Sequence, residues 1–159
     1  RNYLVLTGDG SEETEEKLGY YGERIVLKAQ ALGLNSCWVA ATYSKGACRK
    51  ACGLEKDEKL ACAIALGYGE TQGVPHESKP LTELFELCSA AGKAPEWFVK
   101  GVEAAALAPT ALNRQNFNIV LLEDGRVRLE KQGACAALDL GIVRYHFEQG
   151  AGKENFEWA

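Results

Sequence analysis

The stretch Ala108-Pro109-Thr110-Ala111-Leu112-Asn113-Arg114-Gln115-Asn116-Phe117 separates a helical pattern from a strand pattern. Apolar residues recur at helical spacing from Trp97 to Leu107, and Pro109 ends that helix because a proline restricts the residue before it. The apolar run 117–122 and the turn residues 123–125 predict a strand that enters a hairpin. The stretch therefore places a hydroxyl and primary amides at a strand mouth, where ligands often bind. The alternative is a capped helix end without a ligand.

Strand and helix patterns alternate along the chain. The patterns predict strands at Tyr3–Leu6, 34–39, Lys59–Leu66 and Val127–Leu129, and helices from Ser11 to Gly33, Lys45 to Cys52, Pro80 to Cys88 and Ala137 to Gln149. In the first helix we expect an apolar face of Leu18, Tyr21, Ile25, Ala29 and Leu32. Since a hairpin requires an antiparallel pair, we expect an α+β fold with a mixed or antiparallel central sheet flanked by helices.

Composition limits the classes of function. With 159 residues, 47% hydrophobic and 25% charged, the chain is long enough for one globular domain with a real core. The net charge of −4 without a basic run argues against nucleic acid and anionic membrane surfaces as partners. The sequence shows neither a stretch of about 20 apolar residues nor a signal peptide, so we expect no membrane association and a cytoplasmic location.

The six cysteines lie in mostly apolar contexts without C-x-x-C pairs, which favours reduced core thiols over a disulfide framework. Cys48 and Cys52 are one helical turn apart and are the pair most suggestive of a metal site. The chain has two histidines, and neither is near this pair, so we do not predict a metal.

The two ends of the chain raise separate questions. The sequence opens at Arg1 directly into a strand pattern and contains no methionine, so we expect a single domain over residues 1–159 that is incomplete at its N-terminus. A weak subdomain boundary is expected near Gly92–Pro95. The tail Glu154–Trp158 alternates polar and aromatic residues, which is typical of an edge strand or of an arm on a partner subunit.

Three segments resemble the nitroreductase family. The helix, Pro-Thr-Ala-Leu-Asn-Arg-Gln and strand around Thr110, Asn113 and Gln115 resemble a flavin-contacting segment of that family, although Asn116 and Phe117 stand where Pro and Trp are usual. Residues 32–42, with Ala40, Ala41 and Thr42 after the strand, resemble a loop whose backbone approaches the flavin ring, for which small side chains are needed. A buried strand end with small residues for packing is the alternative.

The third segment, residues 76–80, resembles the family's cationic segment for the FMN phosphate. Lys79 supplies a cation, and Ser78 and the predicted helix N-terminus would assist it. Glu77 stands where a second cation is usual, while His76 either compensates when protonated or is simply solvated. An Arg-Arg-Ser-x-Arg run that the family carries near its amino terminus is absent, which we attribute to the missing N-terminal segment.

The resemblance implies an FMN-dependent oxidoreductase that passes two electrons from NAD(P)H through flavin N5 to a nitroaromatic, quinone or similar acceptor, acting as a homodimer. The implied cofactor-binding residues are Ala40, Ala41, Thr42, Ser78, Lys79, Thr110, Asn113 and Gln115, with no catalytic side chain. A non-catalytic flavin-binding or structural subunit is the alternative.

Two other features have weaker interpretations. The glycines of residues 67–73 follow a strand, but Pro75 and Pro80 prevent the helix that a dinucleotide fingerprint requires, so we expect an exposed loop. Asp139 and His146 are two helical turns apart and could face a shared cleft, although helix packing or a dimer interface is favoured.

Overall fold

The structure is a computed structural model that describes residues 2–88, 92–134 and 136–159. Its strands are β1 (Asn2–Gly8), β2 (Asn35–Val39), β3 (Lys59–Gly67), β4 (Phe85–Leu87), β5 (Phe117–Leu121) and β6 (Val127–Lys131). Its helices are α1 (Glu12–Ala31), α2 (Lys45–Cys52), α3 (Glu96–Ala105) and α4 (Ala137–Ala151). None of the helices within the described ranges combines the length and the apolar character that crossing a membrane requires.

The strands form two small sheets in the part of the chain that the structure describes. One has the order β1-β3-β2 with antiparallel pairs, and the other has the order β4-β5-β6 with one parallel and one antiparallel pair. The predicted α+β class is confirmed. The hairpin of β5 and β6 is confirmed as well, and β5 is buried along its whole length.

The helix α4 lies at the centre of the packing. It contacts α1 on one side and α3 on the other, and the main core joins α3, α4 and the second sheet. At the crossing of α1 with α4, a Cβ added to Gly141 would lie 1.9 Å from the carbonyl oxygen of Glu16, and one added to Gly19 would lie 2.0 Å from that of Leu138. Glycine is therefore needed at both positions for the two backbones to approach.

This close approach corrects the predicted apolar face of α1. The residues that α1 buries are Gly19, Gly22, Glu23, Val26 and Ala29. Tyr21 and Ile25 from the predicted face are 57% and 42% exposed. The prediction was wrong because the glycines, which a hydrophobicity pattern does not count, decide which side of α1 meets α4.

The helix ends agree with the sequence. The Ser11 and Ser44 side chains accept hydrogen bonds from Thr14 N and Ala47 N, as expected of N-cap residues. Gly33 ends α1 with a φ of 79°, and Gly53 ends α2 with a φ of 63°. These positive angles explain why both helices stop at glycine.

The helix predicted over Pro80–Cys88 is wrong. The segment forms a 3₁₀ turn at Leu81–Glu83 and then the strand β4. Ile119 N donates to Leu84 O and Cys88 N donates to Leu121 O, both adjoining the parallel β4–β5 pairing. The backbone groups of this segment form their hydrogen bonds with the buried β5 instead of within a helix. A local helical pattern could not predict this, because β5 is distant in the sequence.

The C-terminal tail packs on its own chain. It contains a 3₁₀ turn at Lys153–Asn155 and a single bridge between Trp158 and Val127 of β6. The rings of Phe156 and Trp158 lie 5.1 and 5.4 Å from that of Phe147. The tail therefore lies along a sheet edge, and its aromatic residues cover the chain's own core; a homodimer stays a prediction.

Two sequence interpretations concern the boundary and the cysteines. Residues 92–95 lie in an irregular connection before α3, and a subdomain boundary there stays a prediction, as does a single domain over residues 1–159. The described cysteines are free thiols, but Cys37 and Cys52 are exposed rather than in the core. Cys135 lies outside the described residues.

Candidate functional site

Two segments that are far apart in the sequence meet at the end of α3. Gln115, which is 2% exposed, accepts a hydrogen bond from Lys79 N through Oε1 at 2.9 Å and donates through Nε2 to the Glu77 carbonyl at 2.9 Å. The Lys79 ammonium donates to the Gln115 carbonyl at 3.1 Å. Gln115 therefore holds residues 77–79 by both its side chain and its backbone.

The remaining predicted residues of these segments join the same network. Asn113 donates through Nδ2 to the Glu77 carbonyl at 2.9 Å and accepts from Gln115 Nε2 at 3.0 Å. Thr110 Oγ1 accepts from Gln115 N at 3.0 Å, and the Ser78 hydroxyl donates to Ala106 O at 2.9 Å. We call the assembly of Ser78, Lys79, Thr110, Asn113 and Gln115 the junction site.

The backbone of the junction site is strained. Leu112, Asn113 and Gln115 have φ angles of 56°, 53° and 48°. Such angles are uncommon for residues other than glycine and cost on the order of 1–3 kcal/mol each. Strain of this kind persists where the surrounding structure enforces it, and it is concentrated at binding and catalytic sites.

Asp139 of α4 is one of the groups that enforce this conformation. Its carboxylate is buried and accepts a hydrogen bond from Ala111 N at 3.1 Å. Burial raises the pKa of Asp139, and the hydrogen bond from Ala111 opposes the rise only in part. The sequence did not assign this role to Asp139 and marked the residue only by its spacing of two helical turns from His146.

His146 has a different environment. Its Nε2 atom lies 2.8 Å from Oε1 of Glu23, whose Oε2 atom accepts a hydrogen bond from Trp38 Nε1 at 3.0 Å. Asp139 therefore bonds to Ala111, which lies between Thr110 and Asn113 of the junction site. His146 instead links α4 to α1 through Glu23, which also bonds to Trp38 of β2. Of the alternatives that the sequence left open, helix packing is the one that the His146 contacts support.

The electrostatics of the junction site suit an anion. Lys79 forms no ion pair with any residue that the structure describes, and its ammonium contacts a neutral carbonyl. Arg114, which the sequence did not select, is exposed and adds a second cation within the same segment. The predicted helix N-terminus at Pro80 is absent, because only a short 3₁₀ turn follows, so the cations would carry the attraction alone.

His76 lies at the entry to this segment and is partly buried. Its Nδ1 atom lies 3.1 Å from the Glu77 carbonyl, and its Nε2 atom is shielded from solvent without a hydrogen-bond partner among residues 2–88, 92–134 and 136–159. A shielded polar atom without a partner often marks a place for a ligand or an ordered water. The expectation that His76 is simply solvated was therefore wrong.

Ala40, Ala41 and Thr42 are placed differently from the junction site. They follow β2 as exposed, irregular residues, in agreement with the predicted small-residue loop. Within the described parts of the chain, no hydrogen bond joins this loop to the junction site. Their proximity to a common ligand stays a prediction.

An apolar surface adjoins the polar groups of the junction site. Leu112 is 84% exposed, and Leu107, at the end of α3, is also exposed. Polar donors, cations and an exposed apolar side chain in one region can hold a ligand that has both a flat ring and an anionic group. Since Lys79 has no carboxylate partner among the described residues, its charge is available to an anionic group of that kind.

Comparison with known proteins identifies the family. Residues 1–151 match the family described as "Putative TM nitroreductase". The chain belongs to this family. The resemblance that the sequence showed to the nitroreductase family is therefore confirmed. No curated protein matches the chain.

A solved structure supports the same nitroreductase assignment. The crystal structure of a "putative nitroreductase" from Thermotoga maritima is 27% identical to this chain and has a TM-score of 0.74 against it. The match covers 98% of this chain and 63% of the Thermotoga chain. The chain thus spans less than two thirds of the length of that nitroreductase, and part of the neighbour has no counterpart here.

The glycine-containing segment 67–73 has no part in the junction site. Its residues after Gly67 are exposed and irregular, and no helix begins within it. The expectation that this segment is an exposed loop rather than a dinucleotide-binding turn is therefore confirmed.

Proposed function

We propose that the protein is an FMN-dependent oxidoreductase. The observation that carries this proposal is the junction site in a chain of the nitroreductase family. There the Lys79 ammonium, which has no ion-pair partner among the described residues, adjoins a strained backbone and an exposed apolar side chain. FMN, when bound, supplies two-electron transfer at N5 from NAD(P)H to a nitroaromatic, quinone or similar acceptor. The protein's part is to bind, orient and shield the groups involved.

The residues have distinct proposed roles. Lys79 and Ser78 bind the phosphate, and Arg114 contributes a second positive charge. Thr110 and Asn113 bind polar edges of the ring, since each retains a donor that the network does not use. Gln115 is assigned to the same ring-binding group. It also keeps Lys79 in place, because its side-chain amide is bonded to Lys79 N and to the Glu77 carbonyl.

The loop of Ala40, Ala41 and Thr42 is proposed to approach the ring through its backbone. Small side chains allow that approach, and their exposure leaves the loop free to meet a ligand. No side chain of the proposed set acts as an acid or a base. A homodimer in the cytoplasm is proposed as the working form, and sedimentation showing only monomer at micromolar concentration would contradict the dimer.

The phosphate role of Lys79 is tested by comparing FMN with riboflavin, which lacks the phosphate. Lys79→Ala removes a charge-assisted contact typically worth about 1.5–3 kcal/mol, so we expect roughly tenfold to hundredfold weaker FMN binding. Riboflavin should bind the variant and the parent equally. Both affinities are measured by quenching of flavin fluorescence in the full-length protein.

Lys56→Ala is the matched control, because Lys56 is exposed in the connection between α2 and β3. This variant should bind FMN like the parent. Equal losses of FMN and riboflavin in Lys79→Ala would mean that the residue acts through structure, and no loss would place the phosphate elsewhere.

A turnover assay distinguishes an oxidoreductase from a non-catalytic flavin-binding subunit. We expect NAD(P)H oxidation in the presence of FMN and a quinone or nitroaromatic acceptor. Bound flavin without NAD(P)H oxidation would select the non-catalytic flavin-binding subunit, an alternative that Glu77 favours because it stands in the sequence where a second cation is usual. A protein that neither carries nor binds FMN at micromolar concentration would remove both.

A further inference from the structure

The 3₁₀ turn Ala111–Asn113 lacks the cap that its own sequence could supply. Thr110 occupies the N-cap position, and threonine is a common N-cap residue, but its side chain makes no capping hydrogen bond. Its Oγ1 atom accepts a hydrogen bond from Gln115 N at 3.0 Å instead. The N–H group at the start of the turn therefore needs a partner from another part of the chain.

That partner is Asp139 in the first turn of α4, 28 residues further along the chain. Its Oδ2 atom accepts a hydrogen bond from Ala111 N at 3.1 Å. The carboxylate is buried, and burial raises the pKa of Asp139, so a charge at this position is unfavourable for stability alone. The bond fixes the start of the turn to the helix at the centre of the packing.

The capping by Asp139 leaves the Thr110 side chain free for other contacts. A hydroxyl group has one proton and two lone pairs, and among the described residues Thr110 Oγ1 uses one lone pair, for Gln115 N. A threonine that capped its own turn would point its oxygen at the N–H groups of residues 112 and 113, away from Gln115. Because Thr110 is only partly buried, its hydroxyl proton is available to an acceptor on a ligand.

The same bond controls the position of Asn113. Leu112 and Asn113 follow Ala111 directly and have φ angles of 56° and 53°, so the turn is not stable on local grounds. A local backbone bond runs from Asn113 N to Thr110 O at 2.9 Å. Holding Ala111 therefore holds the strained residues after it and, with them, the exposed side chain of Asn113.

We infer that Asp139 is a positioning residue for the flavin ring. By capping the turn from α4, it directs the Thr110 hydroxyl and the Asn113 amide toward acceptor atoms, such as carbonyl oxygens, at the polar edge of the ring. It acts through Ala111 N rather than by contact with the flavin. The inference rests on the proposed function, and it adds a residue that affects binding of the ring without affecting binding of the phosphate, which is assigned to Lys79.

Two substitutions of Asp139 test this role. Asp139→Leu removes the acceptor and keeps the branched shape of the side chain, whereas Asp139→Asn keeps an acceptor oxygen. We expect Asp139→Leu to weaken FMN and riboflavin equally, by about threefold to thirtyfold, because one hydrogen bond that positions the ring-binding groups is lost. Asp139→Asn should stay within about twofold of the parent for both flavins. Affinities are measured by quenching of flavin fluorescence in the full-length protein, and Asp57→Leu, at an exposed position, should bind like the parent.

Ala111→Pro tests the route from the other end of the bond. Proline has no N–H, and it is favoured at the first position of a helical turn, which Ala111 occupies. Thr110, with a φ of −129° and a ψ of 156°, already has a conformation compatible with a following proline. In this background Asp139→Leu should change neither flavin affinity by more than about twofold, because no N–H remains to be capped. The comparison holds even where Asp139→Leu alone does not fold, since the double variant leaves no N–H without a partner.

Hydrogen exchange gives a readout that needs no flavin. The Ala111 amide should exchange at least about tenfold faster in Asp139→Leu than in the parent, because its bond is lost, and at nearly the parent's rate in Asp139→Asn. The amides of the buried strand β5 report on unfolding of the whole core and are the control. They distinguish a change confined to the turn from a general loss of stability.

Two kinds of result would overturn the inference and leave the proposed function in place. One is a parent that binds FMN together with an Asp139→Leu variant that binds both flavins as tightly, or that loses FMN more than riboflavin. The other is a loss from Asp139→Leu that persists in the Ala111→Pro background, because Asp139 would then act by another route. A parent that binds neither flavin would overturn the proposed function and this inference with it.

Discussion

The chain contains two units in which a helix leads through a connection into a strand, α1 with β2 and α3 with β5. In the first unit the connection is short, and Gly33 adopts the positive φ that ends the helix. Its bonds are local: Gly33 N donates to Gln30 O and Leu34 N to Ala29 O. In the second unit the connection has no glycine, and Leu112, Asn113 and Gln115 adopt positive φ instead.

The difference shows how the two connections are stabilised. The first is stable on local grounds, because glycine adopts its conformation without a steric penalty. The second depends on distant groups, namely Glu77, Lys79 and Asp139, which hydrogen-bond to it. A connection held in a strained conformation by remote contacts is preorganised, and preorganisation is what a binding site requires.

The largest expected effect concerns a buried contact of the first unit with a residue distant in the sequence. Glu23 is 1% exposed and bonds to His146 and to Trp38 of β2. Glu23→Ala leaves His146 Nε2 and Trp38 Nε1 without their hydrogen-bond partner, and since each buried unsatisfied group costs about 1–3 kcal/mol, we expect a loss of about 2–6 kcal/mol in the free energy of unfolding. Urea unfolding measures the loss, and Glu13→Ala, at an exposed position of the same helix, should lose no more than about 0.5 kcal/mol, the typical contribution of an exposed pair such as Glu13 with Lys17. A small loss would mean that solvent reaches the pair.

The next effect concerns the second unit. Gln115→Leu keeps the approximate size of the side chain but leaves Lys79 N and the Glu77 carbonyl without partners. We expect a loss of about 2–3 kcal/mol in the free energy of unfolding, since each buried unsatisfied group costs about 1–3 kcal/mol. Gln149→Leu, the same exchange at an exposed position of α4, is the control. Equal urea midpoints for the two variants would contradict the structural role of Gln115.

Exchanging glycine and leucine between the two connections should change the free energy of unfolding by smaller amounts and in opposite directions. Gly33→Leu places a side chain at a φ of 79° and should cost about 1–2 kcal/mol. Leu112→Gly relieves the φ of 56° at an exposed position and should be neutral or stabilise by up to about 1 kcal/mol. Thermal unfolding of both variants measures the exchange. Destabilisation by Leu112→Gly would show that its side chain, and not its backbone, contributes at this position.

The smallest effect is a pH dependence. Because burial raises the pKa of Asp139 above its ordinary value of 3.8, the folded protein binds this proton more tightly than the unfolded chain does. The protonated Asp139 therefore contributes its full stabilisation below pH 3.8, and this contribution is lost as pH rises through the pKa of Asp139 in the folded state. Asp139→Asn should therefore become more stable relative to the parent between about pH 3 and pH 7 in urea titrations. Asp57→Asn, at an exposed position, should follow the parent, and a parallel profile for Asp139→Asn would contradict the shift.

Much of the fold was predictable because the relevant forces are local. Ser11 and Ser44 cap their helices by hydrogen bonds within one turn, and Gly33 and Gly53 end helices through their own φ angles. The hairpin between β5 and β6 follows from the turn residues 123–125. Short-range periodicity and turn chemistry therefore identified most elements. The resemblance to the nitroreductase family came from the motifs of three segments, and the family match confirms it.

The two main errors in the fold involve partners distant in the sequence. The segment 80–88 became a turn and a strand because β5 offered its backbone for pairing, and the buried face of α1 was chosen by the approach of Gly141. For the candidate site, the sequence named Ser78, Lys79, Thr110, Asn113 and Gln115. It could not show that Gln115 is buried and hydrogen-bonds to Lys79, Thr110 and Asn113. That arrangement, like the contact of Asp139 with Ala111, exists only when the folded chain brings α4 and residues 77–79 to the same connection, because hydrogen bonds across such separations leave no periodic signal.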